Sequence, residues 1–268
     1  MFNRHGLIVL SLVLLSTVRA GADSRSGAPR PNIVLMTADN LGYHDTRCYG
    51  NDRVITPNID RLAAQGVRCT NFYSASPTCT VSRAAYLTGR YPQRNGLTHQ
   101  LRTNLDKGID ENMGIGLRHS EKLLPEYLKP LGYPTACFGK WNIGFGPGSR
   151  PTERGFDEYL GNASGNCDYY THVYAGRNDF FRGTEPVPDM KGYSTFLLAD
   201  AACDFVRRNA KRPFFLYVPF NAVHYPGARN KAPGVECIWQ APDEAFREYG
   251  WSPDTRDVEK RYYATVTA

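Results

Sequence analysis

The chain has 268 residues, of which 41% are hydrophobic, enough to bury a sizeable core as one large domain or two small ones. Its formal net charge is +6 with no polybasic run, which argues against nucleic acid as a partner and suits an anionic substrate. Seven cysteines leave at least one unpaired, and no CxxC or Cys/His spacing marks a zinc site.

Arg4 and His5 precede an apolar run over residues 7–15, with small residues at Ala20 and Ala22. The pattern predicts a secretory signal peptide over 1–22, because the run is too short to span a bilayer comfortably. An uncleaved membrane anchor is the alternative. Residues 23–30 read as a flexible lead-in. The expected product is exported, periplasmic or secreted (lysosomal or extracellular in a eukaryote), with no membrane segment after cleavage. No second long apolar run follows.

Residues 31–268 read as one domain. Asn32-Ile33-Val34-Leu35-Met36 predicts a strand buried on both faces, ending at Thr37-Ala38-Asp39-Asn40. Residues 56–66 predict a helix with Thr56 as cap, Pro57 in its first turn and Gly66 as stop. Residues 67–73 alternate like a strand and lead into Cys79-Thr80-Val81-Ser82-Arg83, a helix start closed by Gly89. A helix is expected over 120–131 with Ser120 as cap, then a short strand over 135–138 ending at Gly139-Lys140-Trp141-Asn142. Residues 145–192 lack a clear period and read as long surface loops, a usual place for substrate contacts. Within them, residues 169–172 and 177–181 are candidate contacts for a leaving alcohol, and Asn162-Ala163-Ser164 matches a glycosylation sequon. Residues 194–208 carry one apolar face of a helix, and 213–220 form another buried strand, followed by Asn221-Ala222-Val223-His224. Residues 258–268 look like the opening turns of a helix with no stop signal, so the chain is expected to be the N-terminal portion of a longer protein. Strands alternating with helices predict an α/β fold whose mostly parallel or mixed central sheet is flanked by helices.

Asp39, Lys140 and His224 each fall just past the C-terminal end of a predicted buried strand. In open α/β sheets ligands bind outside those ends, so the three converge on one edge. Cys79 and Arg83 stand at a helix start, where free N–H groups and a guanidinium fork suit a tetrahedral anion.

These stretches together resemble the type I sulfatases of the alkaline phosphatase superfamily. Pro31-Asn32-Ile33-Val34-Leu35 with Ala38-Asp39-Asn40-Leu41-Gly42-Tyr43 is similar to the family's opening strand. Thr56-Pro57-Asn58-Ile59-Asp60-Arg61-Leu62-Ala63 and Gly66-Val67-Arg68 also match. Cys79-Thr80-Val81-Ser82-Arg83 with Leu87-Thr88-Gly89-Arg90 resembles the sulfatase signature. Leu131-Gly132-Tyr133 through Gly139-Lys140-Trp141 resembles the segment of an active-site lysine, and 213–224 that of an active-site histidine. The resemblance implies sulfate-ester hydrolysis of an arylsulfatase kind. It implies that Cys79 is oxidised to formylglycine by a formylglycine-generating enzyme or an equivalent maturase. One hydroxyl of the hydrated aldehyde attacks sulfur as the alcohol leaves, and the other is then deprotonated and expels sulfate, restoring the aldehyde. It further implies a bound Ca²⁺, in preference to Mg²⁺, held by Asp39, Asn40 and the residue at position 79. Cys79, Arg83, Lys140 and His224 are then catalytic, and Lys140, His224 and Asn142 contact a sulfated small molecule or glycan.

The chain departs from the family pattern in four places. Val81 stands where Pro or Ala is usual. Asn40 replaces a commoner aspartate, keeping an oxygen donor and losing a charge. Asn142 replaces a histidine, and an amide cannot shuttle a proton near neutral pH. The family's later Asp-Asn or Asp-His metal pair and further lysine have no counterpart after His224. A phosphonate or phosphodiester hydrolase of the same superfamily, and a non-catalytic sulfated-glycan-binding protein, are the alternatives.

Overall fold

The computed structural model describes residues 29–101, 116–227 and 239–268. The proposed signal peptide and most of the lead-in lie outside the described residues. One compact unit runs over Pro31–Ala268.

In chain order its elements are β1 (Ile33–Thr37), α1 (Pro57–Gln65), α2 (Cys79–Thr88), α3 (Pro92–Asn95), α4 (Leu124–Leu128), β2 (Thr135–Phe138) and β3 (Glu158–Asn162). They continue with β4 (Val173–Tyr174), β5 (Arg177–Asn178), β6 (Phe180–Arg182), β7 (Glu185–Pro186), α5 (Ser194–Asn209), β8 (Phe215–Pro219), α6 (Asp243–Arg247) and α7 (Val258–Thr267). Six strands form one sheet in the order β1-β8-β2-β3-β6-β7. The first four are parallel, and β6 and β7 add an antiparallel edge. This is the expected mixed α/β sheet.

Period-2 alternation builds the core on both faces of the central strands. Cys137, Phe215 and Tyr217 face one layer with Ala84 and Leu87 of α2 and with Trp141, Phe156 and Tyr159. Ala136, Phe138, Leu160, Leu216 and Val218 face the other, under Leu198 and Phe205 of α5. Each such aromatic or aliphatic side chain contributes roughly 1.5–3 kcal/mol by leaving water. The parallel strands end together because their C-terminal residues are cross-linked. Lys140 N–H donates to the Pro219 carbonyl, Trp141 N–H to Asn162 and Asn142 N–H to Ala163. Gly139 and Gly161 permit this closeness: a Cβ on Gly139 would meet the Pro219 carbonyl oxygen at 2.1 Å, and one on Gly161 the Gly139 oxygen at 2.0 Å.

Several sequence expectations need correction. β1 is buried on one face only: Ile33 and Leu35 pack inward, while Val34 and Met36 are 46% and 55% exposed. Its place at the end of the strand order leaves its other face outside the α5 layer. Thr56 makes no side-chain cap on α1; its hydroxyl accepts from Arg47 N–H and donates to Asp60. Residues 67–73 form no strand. The helix expected over 120–131 begins at Leu124, because Glu126 reaches back to accept the Leu123 N–H. It tightens into a 3₁₀ turn over Lys129–Leu131.

The largest correction concerns 145–192. Far from being surface loops, they supply β3 through β7 and several fully buried side chains, Tyr169 and Phe180 among them. Short strands interrupted by turns carry too little period to be read from sequence. His172 is fully buried and stacked on Phe180, and Tyr169 is core, so neither can touch a leaving alcohol. Asn162 is also buried, its amide donating to the Ser164 carbonyl, so the sequon is closed to glycosylation. The six described cysteines are all free, and Cys237 lies outside the described residues.

Candidate active site

Cys79 is the first residue of α2, and Gly89 closes that helix in the left-handed conformation at φ 66°, as its sequence predicts. Thr78 occupies the N-cap with extended backbone and makes no side-chain cap bond. The helix start opens on a cavity of about 320 Å³ lined by Thr37, Asp39, Asn40, Cys79, Ser82, Arg83 and Tyr86, among others. Four of the predicted site residues therefore share one cavity.

Arg83 is buried one turn into α2, with its guanidinium spent on the sheet. Nη2 donates to Asp39 Oδ2 at 2.7 Å, and Nη1 to the Lys140 carbonyl at 2.7 Å and the Tyr217 hydroxyl at 3.2 Å. Lys140, fully buried, places Nζ 2.6 Å from the same Asp39 oxygen. Two cations thus share Oδ2, and no described residue bonds Oδ1. Burial pushes the Asp39 carboxyl up, and Lys140 and Arg83 more than offset that and hold it at about 2. Burial opposes the Arg83 charge as well, but Tyr86, Tyr217 and Asp39 outweigh it and raise its pKa. Asp39 is also locked through its backbone: its N–H donates to Ala222 and its carbonyl accepts from Val223 N–H.

Asn40 and Asn142 both adopt left-handed backbone, at φ 63° and 55°. Asparagine tolerates that region better than most residues. Asn40 is exposed at the cavity. Asn142 is buried and donates from Nδ2 to Cys79 Sγ at 3.2 Å. The Cys79 thiol in turn donates to Gln100 Oε1 at 3.3 Å.

His224 stands on the same strand-end edge, after β8. Its Nδ1 lies 2.8 Å from the Tyr225 carbonyl and 3.2 Å from Asn166 Nδ2, and the Tyr169 hydroxyl donates to its carbonyl at 2.6 Å. Burial, then the charge of Lys140, lower its pKa below the ordinary imidazole value. Among the described residues no hydrogen bond joins His224 to the other predicted site residues. The structure thus groups Asp39, Asn40, Cys79, Arg83, Lys140 and Asn142 by direct contact or a shared cavity, and places His224 beside them.

Three contributors escape the sequence reading. Tyr217, a hydroxyl in the apolar run 214–218, is the one with a signal. Tyr86 and Gln100 carry none; they matter only because of what they touch.

The sequence model of the Sulfatase family matches residues 31–267. The chain belongs to the sulfatase family. N-acetylgalactosamine-6-sulfatase of Homo sapiens is 39% identical over 216 residues, which are 75% of this chain and 41% of that protein. Arylsulfatase J of Mus musculus is 30% identical, over 93% of this chain and 40% of its own length. The solved structure of Ps i-CgsB superposes with a TM-score of 0.74 at 32% identity, covering 88% of this chain and 52% of that one. The chain spans about two fifths of the length of these curated relatives.

The oxygen donors present fit a hard cation such as calcium. Asp39, Asn40 and Thr37 border the cavity, and the buried Thr37 hydroxyl has no hydrogen-bond partner among the described residues. Calcium takes roughly six to eight oxygens. The described residues contain no cluster of three or more His, Cys, Asp or Glu able to hold a metal, and Asp39 and Asn40 would supply only part of such a shell. Position 79 fits a group that exchanges hydrogen bonds on both sides, since it meets an amide donor and an amide acceptor.

Proposed function

We propose that the protein hydrolyses sulfate esters, with the side chain at position 79 as the point of attack. One observation carries this reading: Cys79, Asp39, Asn40 and Arg83 border one cavity at the N-terminus of α2. Family membership supports a sulfate ester in preference to a phosphodiester. The relative that acts on an N-acetylgalactosamine 6-sulfate by name supports a sulfated sugar as the leaving alcohol.

Formylglycine made from Cys79 would supply the oxygen nucleophile that a thiol cannot. A calcium ion held by Asp39, Asn40 and the residue at position 79 would polarise the sulfate. The chain's own residues do the rest. Among the described residues the buried Lys140 Nζ pairs only with Asp39, and its remaining N–H groups would be the donors to a sulfate oxygen. Arg83 keeps Asp39 ionised and fixes Lys140 by its carbonyl. Asn142 orients position 79 by donation. His224, with a lowered pKa, is neutral near pH 7 and can accept or relay a proton at the leaving oxygen. Maturation requires a formylglycine-generating enzyme or its equivalent, and export follows from the leader over 1–22. No described helix is long and apolar enough to cross a membrane.

The test is paired turnover of an aryl sulfate and an aryl phosphodiester by protein co-expressed with the maturase. The expected result is sulfate hydrolysis that Cys79→Ala lowers by about 10³-fold or more. Equal or greater phosphodiester turnover overturns the reading. A thiol at Cys79, no turnover and retained binding of sulfated glycan would make the protein a binder instead.

A further inference from the structure

We infer that Gln100 is a positioning residue for the side chain at position 79, acting through its single acceptor oxygen Oε1. That oxygen accepts the Thr80 N–H at 3.2 Å and the Cys79 thiol at 3.3 Å. The first N–H groups of a helix have no partner within the helix and ordinarily take one from the N-cap side chain. Thr78 does not provide it; its hydroxyl meets Ser76 Oγ at 3.1 Å instead. Gln100, 20 residues beyond Thr80, supplies the missing acceptor from outside the helix.

The segment that carries Gln100 is fixed to α2 from both sides. Leu97 and Leu101 are buried in the core layer that contains Ala84 and Leu87, and Leu101 N–H donates to Thr80 Oγ1 at 3.3 Å. The opposite side of position 79 is held by Asn142, whose backbone is tied to Ala163. The two amides approach each other beside Gly165, within 3.9 Å of where its Cβ would stand. Position 79 is therefore gripped between one donor and one acceptor, and neither changes charge at any working pH. In a site where the usual histidine is the amide of Asn142, orientation of the attacking group is set by these two contacts. A free side chain samples three staggered wells, and Gln100 selects one of them.

The activity part of this inference rests on the sulfatase reading, so two readouts are needed. Gln100→Met keeps the length of the side chain and removes the acceptor; Gln100→Glu keeps the acceptor. On an aryl sulfate, Gln100→Met is expected to lower kcat roughly ten-fold with KM within about two-fold, and Gln100→Glu to retain more kcat than Gln100→Met. A Gln100→Met enzyme with wild-type kcat, or one at least as fast as Gln100→Glu, overturns the inference. The second readout needs no turnover. In protein made without the maturase, the rate of Cys79 alkylation by iodoacetamide is followed by peptide mass spectrometry at one pH. Gln100→Met is expected to raise that rate several-fold, and Gln100→Glu to hold it at or below wild type. An unchanged rate in Gln100→Met overturns the inference on its own. A wild-type protein without sulfatase activity would sink the functional reading and leave the alkylation result to decide on Gln100.

Discussion

The two sides of β8 use similar residues to different ends. On one side, β2 and its loop carry Cys137, Phe138, Lys140, Trp141 and Asn142, all buried. On the other, β1 offers Val34 and Met36 to solvent, and Leu62 of α1 and Val67 beyond it are 60% and 92% exposed. Yet Asp39, at the end of the half-covered strand, is held as firmly as Lys140, at the end of the covered one. Both are locked by hydrogen bonds to the segment around β8: Asp39 to Ala222 and Val223, Lys140 to Pro219. Site geometry here depends on backbone links between strand ends and on one shared carboxylate oxygen. Burial of a strand's outer face contributes stability, and it is not what aims the side chain.

The largest effect is expected from removing one of the two cations that share Asp39 Oδ2. Arg83→Leu leaves Asp39 with Lys140 alone and strips the donor from the Lys140 carbonyl. Breaking a buried ion pair costs about 3–5 kcal/mol, so urea unfolding should show a loss of that order. A loss below ~1 kcal/mol would mean that the strand ends hold without it.

Next in size is a pH effect that separates Asp39 from another buried carboxyl, Asp179. Asp39 is held at about 2, so its favourable contribution is present above the ordinary carboxyl range and disappears as pH falls from about 4 to 2. Asp179 behaves oppositely. Burial pushes it up to about 7, against hydrogen bonds from Ser164 N–H and the Ser164 hydroxyl. Its unfolded carboxyl loses its proton near pH 4 and the folded one near 7, so its cost grows as pH rises through that window. Asp179→Asn should flatten the stability profile between pH 4 and 7 by roughly 2–4 kcal/mol, measured by unfolding at fixed pH values. An identical slope in wild type and variant would contradict it.

A smaller effect is expected at Tyr217, whose hydroxyl lies 2.5 Å from that of Tyr86 and accepts from Arg83. Tyr217→Phe should cost about 1–2 kcal/mol, since Arg83 Nη1 keeps the Lys140 carbonyl. The smallest belongs to the exposed face: Met36→Ser should change stability by less than about 0.5 kcal/mol. A cost near that of a core truncation would show that β1 is covered on both sides in solution.

Much of the candidate site was legible because its residues sit at ends of strands that announce themselves. The runs 135–138 and 214–218 are apolar enough to mark buried strands, and the polar residues that follow them are conspicuous. The region 145–192 was not legible. Its strands are two to five residues long, and Tyr169, His172 and Phe180 look like loop aromatics until the chain is folded. Gln100 gave no sign at all, because its role is a contact with residues 20 and 21 positions away.

By itself the sequence determined the family, the alternation of strands and helices, and Cys79 at the head of a helix closed by Gly89. These are local properties: an apolar run, a breaker and a motif are read within a dozen residues. The tertiary structure decided which atoms meet. It gave Asp39 Oδ2 to two cations at once, turned Arg83 toward the sheet and buried Asn162. It also set the side chain at position 79 between Asn142 and Gln100. Those outcomes depend on how parallel strands end beside one another, and no window along the chain contains that information.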